Sequence, residues 1–327
     1  MVGYSTFGGD SVAAEPDTEF QMRYKILELV GCGSSSKCYK CERKEDKKQF
    51  IVKIINFALL SLQYPDRVLQ QLTREVSSLK KLKHANIVRL EEYFFCGEKL
   101  YIVEECLSGG ELYSKVLQMQ GIPENAAQEI FSQLALAVKY MHRANIVHRD
   151  IKPENILFVD QKSLKVKLID FGFSRSMKGS FANSFLGTGG FLAPEIRLEV
   201  HGSESPLYTK AVDIWALGCV LYVMISACMP FDDSLYQRPK SDFELRFQPQ
   251  KRWVSVSLEL KDLLKRMLHP EPLRRYNASE VVQHAWVQQA LKGESRTLQI
   301  SISNESLDSY STASDSMSAV GQEFDML

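Results

Sequence analysis

The residues best suited to chemistry lie in one run, His148-Arg149-Asp150-Ile151-Lys152-Pro153-Glu154-Asn155. It packs five ionisable side chains and an asparagine into eight residues, directly after Ala144 to Val147. Fifteen residues beyond Asn155 stands Asp170-Phe171-Gly172, entered from an apolar strand, Val166 to Ile169. Ala193-Pro194-Glu195 then closes a segment rich in serine and threonine. Lys53 sits inside the apolar strand Ile51-Val52-Lys53-Ile54, where an amine needs an anionic partner or an edge. The available partner is Glu75, between Leu72 and Leu79 on a helical face; the alternative is that Glu75 only reaches out from the edge of that face.

Gly31-Cys32-Gly33-Ser34-Ser35-Ser36-Lys37-Cys38 lies twenty residues before Lys53, counted from Gly33. Glycines between two strands let backbone N–H groups approach a polyphosphate with no Cβ in the way. Ordinary hairpins and dinucleotide-binding folds also contain such glycines. The latter require a helix directly afterwards, whereas this chain continues as a strand. The Gly-Lys-Ser/Thr of a P-loop is absent.

The positioning elements follow from periodicity. Strands are expected at Ile26–Val30, Cys38–Arg43, Phe50–Ile55, Val88–Phe95 and Leu100–Val103. One helix interrupts them, with Leu69, Leu72, Val76, Leu79 and Leu82 at helical spacing. Beyond Gly109-Gly110 the chain turns mainly helical: Ala126, Ile130, Leu134, Ala137 and Met141 mark one long amphipathic helix, and Trp215–Ala227 and Leu258–Leu268 mark others. A small β-rich lobe followed by a larger α-rich lobe is the expected α+β architecture.

The chain has 327 residues, 40 Lys plus Arg and 40 Asp plus Glu, for a formal net charge of zero. With 45% hydrophobic residues it is globular in composition, and neither nucleic acid nor a membrane is expected as partner. The zero conceals a distribution. Residues 1–19 hold Asp10, Glu15, Asp17 and Glu19 and no Lys or Arg; residues 297–327 hold Glu305, Asp308, Asp315, Glu323 and Asp325 and likewise no base. The body between carries 40 basic against 31 acidic groups. Eight serines fall between Ser301 and Ser318, so the tail is expected to be disordered. Seven cysteines without framework spacing suit reduced thiols and a cytoplasmic or nuclear setting. Cys38 and Cys41 form a C-x-x-C, but a strand would point them to opposite faces. The apolar Trp215–Phe231 stretch is slightly short for a membrane span and is expected to be a buried helix.

In order and spacing, these motifs resemble the eukaryotic protein kinases over roughly residues 24–290. The resemblance implies the bilobed kinase fold, Mg-ATP as cofactor and phosphoryl transfer to proteins. It divides the chain into an acidic arm (1–22), an N-lobe (23–107), a C-lobe (108–290) and a tail (291–327). It implies that Asp150 orients the substrate hydroxyl and accepts its proton, and that Lys152 neutralises charge on the phosphoryl group. Asn155 and Asp170 would hold magnesium, and Lys53, held by Glu75, would grip the phosphates. Val30, Gly31, Cys32, Gly33, Ser34, Ser35, Ser36, Lys37, Cys38, Ile51, Glu104, Glu105, Leu107 and Glu154 would complete the nucleotide site. Lys152, two residues after Asp150, with Thr188 matching the residue that contacts this loop, is the serine/threonine pattern. Glu195 with Arg275, and Asp213, Trp215 and Gly218, match scaffold positions. Leu79, Leu90, His148 and Phe171 match a hydrophobic stack between lobes, which makes His148 a packed histidine.

Leu134–Tyr140, Asp170–Ser174 and Met229–Ser234 resemble the calcium/calmodulin-dependent group, in its testis-specific serine kinase branch. No basic amphipathic segment of the kind calmodulin binds follows the last apolar stretch. Arg149 before the base implies ordering by a phosphate on the activation segment, with Ser184 the matching site for an upstream kinase. Glu111, assisted by Glu154, matches a reader of basic residues ahead of the acceptor; otherwise Glu111 caps or solvates its helix. Three positions depart from the pattern: Ser36 replaces the third glycine, Ile51 a small alanine, and Glu104 an apolar residue at the back of the pocket. A carboxylate there is costly unless paired or protonated. These departures keep open a rival reading as a pseudokinase scaffold with weakened ATP binding.

Overall fold

The computed structural model describes residues 17–32, 36–56, 73, 76, 77, 79–171, 189–199, 209–232 and 243–293. Gly33, Ser34, Ser35, Glu75, Ser184 and Thr188, and the chain on either side of 17–293, lie outside the described residues.

The N-lobe is a five-stranded antiparallel sheet: β1 (Tyr24–Cys32), β2 (Ser36–Arg43), β3 (Gln49–Asn56), β4 (Leu90–Cys96) and β5 (Lys99–Glu105), in the order β1-β2-β3-β5-β4. Period two sorts β3: Phe50, Val52 and Ile54 enter an outer cluster with Tyr24, Cys41, Tyr101 and Val103, while Ile55 joins the main core. Cys41 belongs to the outer cluster and Cys38 does not, as expected for thiols on opposite faces. Of the helix expected around Leu69–Leu82, residues 73, 76, 77, 79 and 80 are described and helical.

The expected arm boundary moves. A short helix, α1 (Thr18–Arg23), precedes β1 and is part of the lobe. Phe20 is fully buried, stacked on Tyr24 and Tyr101 at centroid distances of 5.1 and 5.3 Å. The Asp17 carboxylate accepts from Tyr101 Oη at 2.8 Å and pairs with Lys99 at 3.2 Å. Burial of one aromatic ring, stabilising by about 1.5–3 kcal/mol, overrides the polar composition of the arm.

The large lobe is built on α3 (Glu124–Arg143) and α5 (Ala211–Ser226), with α2 (Leu112–Met119) before them and α4 (Pro194–Glu199) between. Every residue of α5 from Val212 to Ser226 is buried, as expected for a core helix. No helix among the described residues is long and apolar enough to cross a membrane. α6 (Gln250–Trp253), α7 (Leu258–Met267) and α8 (Ala278–Gln283) follow, and a last helix spans residues 285–293. That helix carries the folded lobe three residues past the expected boundary at 290. Two short strands, β6 (Ile156–Phe158) and β7 (Val166–Leu168), pair beside the cleft. Gly109 is required where the lobes join, because a Cβ there would sit 2.4 Å from Phe158 Cβ and 2.5 Å from the Asp160 carbonyl.

Candidate active site

The run from His148 to Asn155 forms a loop that ends in a 3-10 turn, Pro153–Asn155. Its conformation is imposed from beneath. The buried Asp213 carboxylate, on the first turn of α5, accepts from the backbone N–H groups of His148 and Arg149, both at 2.8 Å. It also lies 2.9 Å from His142 Nε2. This explains how Arg149 can hold φ +69, a costly value for a side chain with a Cβ.

His148 is buried, as expected, and its tautomer follows from its neighbours. Nδ1 accepts from the Asp150 N–H at 3.2 Å, so Nε2 carries the proton donated to the Ile169 carbonyl at 3.0 Å. Burial outweighs the nearby carboxylates and holds its pKa below the ordinary histidine value. Its ring lies 4.8 Å from that of Phe171. The Ile169 N–H donates to the Asn155 carbonyl at 2.9 Å. Both backbone groups of Ile169 are thus tied to the loop, which places the next residue, Asp170, at φ +57.

The reactive groups converge from these supports. Asn155 Nδ2 donates to the Asp150 carbonyl at 2.8 Å and to Asp150 Oδ2 at 3.1 Å. Lys152 Nζ lies 3.1 Å from the same Oδ2. Asp150 is therefore held by a cation and an amide, which suits orientation of a hydroxyl and acceptance of its proton. Lys53 Nζ reaches Asp170 Oδ1 at 2.5 Å. Burial lowers the lysine pKa and raises the aspartate pKa, but their mutual attraction reverses both shifts, so the pair is ionised. Lys53 was expected to be held by Glu75; among the described residues its partner is Asp170.

The remaining sequence-expected positions among the described residues stand on β1, β2, β3 and β5, on the chain just after β5 and, for Glu154, on the loop. Gly31 pairs with Cys38 and Cys32 with Lys37 across β1 and β2, while Val30 occupies a bulge and is exposed. Ser36 pairs with Ile55. Burial pushes the Cys38 thiol up to about 11, so it stays neutral. Ile51 sits directly opposite Glu104 in unshifted β3–β5 register, and Glu104 keeps to the cleft. Burial, then Asp170, raises the Glu104 carboxyl to about 7, with Lys53 opposing. The half-buried Leu107 follows β5, and Glu105 spends its carboxylate on the Arg89 N–H at 2.7 Å and Lys167 at 2.5 Å. Glu154 Oε2 is buried and has no hydrogen-bond partner among the described residues. Sequence reasoning placed Asp213 in the scaffold but missed that it clamps the loop; a lone acid opening a wholly apolar helix was the available signal.

Comparison with known proteins decides the family. The protein kinase domain family matches residues 24–287. The chain belongs to it. This kinase is 34% identical over 274 residues to myosin light chain kinase A of Dictyostelium discoideum, covering 83% of this chain and 90% of that one. It is 36% identical over 277 residues to CBL-interacting protein kinase 1 of Oryza sativa subsp. japonica, covering 81% of this chain and 56% of the relative. A solved structure of Rad53 residues 1–466 in complex with AMP-PNP superposes with a TM-score of 0.67 at 32% identity, over 81% of this chain and 65% of that one. The kinase is accordingly a serine/threonine protein kinase with the bilobed α+β fold, and the family implies ATP binding.

Proposed function

We propose that this kinase transfers the γ-phosphate of Mg-ATP to serine or threonine in protein segments that carry a basic residue ahead of the acceptor. The observation that carries the reading is Asp150 Oδ2, 3.1 Å from both Lys152 Nζ and Asn155 Nδ2. In this reading Asp150 orients the acceptor hydroxyl and takes its proton. Lys152 and Lys53 bind phosphate oxygens, and Lys53 is supported by Glu75. Gly31 to Cys38 roof the phosphates, Ile51 and Glu104 bound the base, and Val30, Glu105, Leu107 and Glu154 complete the site.

The donor set fits magnesium. Among the described residues no group of three His, Cys, Asp or Glu side chains could hold a metal. Asp170 and Asn155 offer one carboxylate and one amide oxygen, the sparse hard-oxygen set of a cation shared with phosphates. When bound there, the ion would neutralise charge on the phosphate oxygens.

Glu111 and Glu154 support the basic preference. Glu111 occupies the N-cap position of α2 without making a capping bond, which removes the reason to read it as a cap. Burial, then Glu154, raises its pKa, so the two carboxylates face one site that a guanidinium would relieve. Ser184, outside the described residues, remains the proposed site for an activating kinase, with Arg149 as the phosphate partner. Leu134–Tyr140 supports placement near the testis-specific branch of the calcium/calmodulin-dependent group. Its seven cysteines are all free, which supports a reducing, cytoplasmic or nuclear location.

Phosphate transfer to a serine peptide with upstream arginine tests this, with Asp150→Asn as control. The expected outcome is transfer that the control reduces by about 10²–10⁴-fold. Transfer no greater than in the control would overturn it, and a positional array indifferent to basic residues would overturn the substrate preference.

A further inference from the structure

A second charged concavity lies where the C-terminal end of α3, the first turn of α5 and the chain entering α8 meet. It is a recess of about 380 Å³, walled by Lys139, Arg143, Lys210, Tyr276, Asn277 and Ser279, with no carboxylate among the described residues that line it. The two side chains at its floor already have partners: Arg275 pairs with Glu195 at 2.7 Å, and His142 Nε2 lies 2.9 Å from Asp213 Oδ2. The cations at its mouth lack an anionic partner among the described residues. Lys210 donates to the neutral Asn145 Oδ1 at 2.8 Å, and Lys139 and Arg143 make no ion pair among the described residues. Three positive charges around one concavity, with no ion-pair partner among the described residues, form a field suited to an anionic peptide.

We propose that this recess docks the acidic segment 297–327 of the same chain. That segment supplies five carboxylates and no Lys or Arg. The other acidic segment is tethered elsewhere, because Asp17 is fixed to Tyr101 and Lys99 on the small lobe. The C-terminal segment departs from the right lobe. The recess wall runs directly into α8, and the helix 285–293 that follows is held near the N-terminal end of α3 by Gln128 Nε2, which donates to the Trp286 carbonyl at 2.6 Å. The 20 residues of α3 span about 30 Å, and the 31 residues of the segment reach about 100 Å when extended, so the tether spans the distance. Tethering also gives an effective concentration near the millimolar range, so weak carboxylate contacts suffice for occupancy.

The test uses the full chain and does not read activity, so its outcome is independent of the phosphotransfer reading. Carbodiimide couples a carboxylate to an adjacent amine without a spacer. At low salt, mass spectrometry of the monomer should find Glu305, Asp308, Asp315, Glu323 or Asp325 joined to Lys139 or Lys210. The yield should fall at least fivefold in 0.5 M salt, as expected for screened surface charges. The Lys167–Glu105 pair serves as a positive control for coupling. In parallel, the anisotropy of a dye at the C-terminus should drop in the Lys139→Glu, Arg143→Glu chain to the value of a chain whose five segment carboxylates are neutralised. Coupling of the segment only to other lysines, or only within dimers, would overturn the proposal, as would equal anisotropy in all three chains. If the charge-reversed chain fails to fold, the coupling pattern of the unaltered chain decides.

Discussion

Lys53 and Asp170, separated by 117 positions in the chain, meet at 2.5 Å and form an ionic link from the five-stranded sheet to the segment that follows β7. Lys53 is 13% exposed and Asp170 36% exposed, so the pair is partly screened and its role is chiefly positional. Lys53→Met should lower kcat/KM for peptide phosphorylation by about 10²–10³-fold, the usual cost of one preorganised charge. Steady-state kinetics at saturating and limiting ATP would check this.

Glu104 predicts a pH dependence. Its folded pKa of about 7 exceeds the ordinary 4.5, so the folded chain holds this proton more tightly than the unfolded chain. The associated stability is complete below about pH 4.5 and is lost as pH rises through 7. The loss is about 1–3 kcal/mol after allowance for solvent at the cleft. Denaturant unfolding between pH 5 and 8 should show this slope in the native chain and lose it in Glu104→Gln. As Glu104 ionises it also competes for Lys53, so KM for ATP should rise with pH; Glu104→Met should abolish the rise and change the inhibitor profile.

Asp213→Asn leaves a single acceptor oxygen where the native carboxylate receives the His148 and Arg149 N–H groups and faces His142. A stability loss of about 2–4 kcal/mol is expected in thermal or denaturant unfolding. Peptide kcat should fall at least tenfold while KM for ATP moves little, because the phosphate-side residues stand on other supports.

Arg275→Ala removes both bonds to Glu195, at 2.7 and 2.9 Å, and strands a buried carboxylate. A loss of about 3–5 kcal/mol is expected. Changing both partners to apolar residues of similar size should recover part of it, which a double-mutant cycle would measure.

Gly109→Ala drives a Cβ into Phe158 and the Asp160 carbonyl at the junction of the lobes. Overpacking of this kind costs about 1–3 kcal/mol. Because Glu111 follows two residues later, selectivity for basic peptides should weaken along with stability, as a peptide array would show.

The long elements were legible because hydrophobic period alone specifies them. The expected Trp215–Ala227 helix appears as Ala211–Ser226, and the strand expected at Phe50–Ile55 as Gln49–Asn56. The catalytic loop was legible from residue identity, since few backgrounds place Asp150, Lys152 and Asn155 so close together. Two features were hidden for physical reasons. α1 has one buried side chain, Phe20, too few for any period to register. The pairing of Lys53 with Asp170 depends on the meeting of two lobes, which no local pattern encodes.

The placement of Phe20 has a practical consequence. The family match begins at Tyr24, yet the packed small lobe already includes Asp17 and Phe20. A chain trimmed to start at Tyr24 would lose the ring that fills the slot between Tyr24, Phe94 and Tyr101. It would expose that aromatic surface to solvent and release the Tyr101 hydroxyl at the strand leading to the nucleotide cleft. Such a chain should bind a hydrophobic dye, associate at high concentration and melt earlier than one trimmed to start before Asp17.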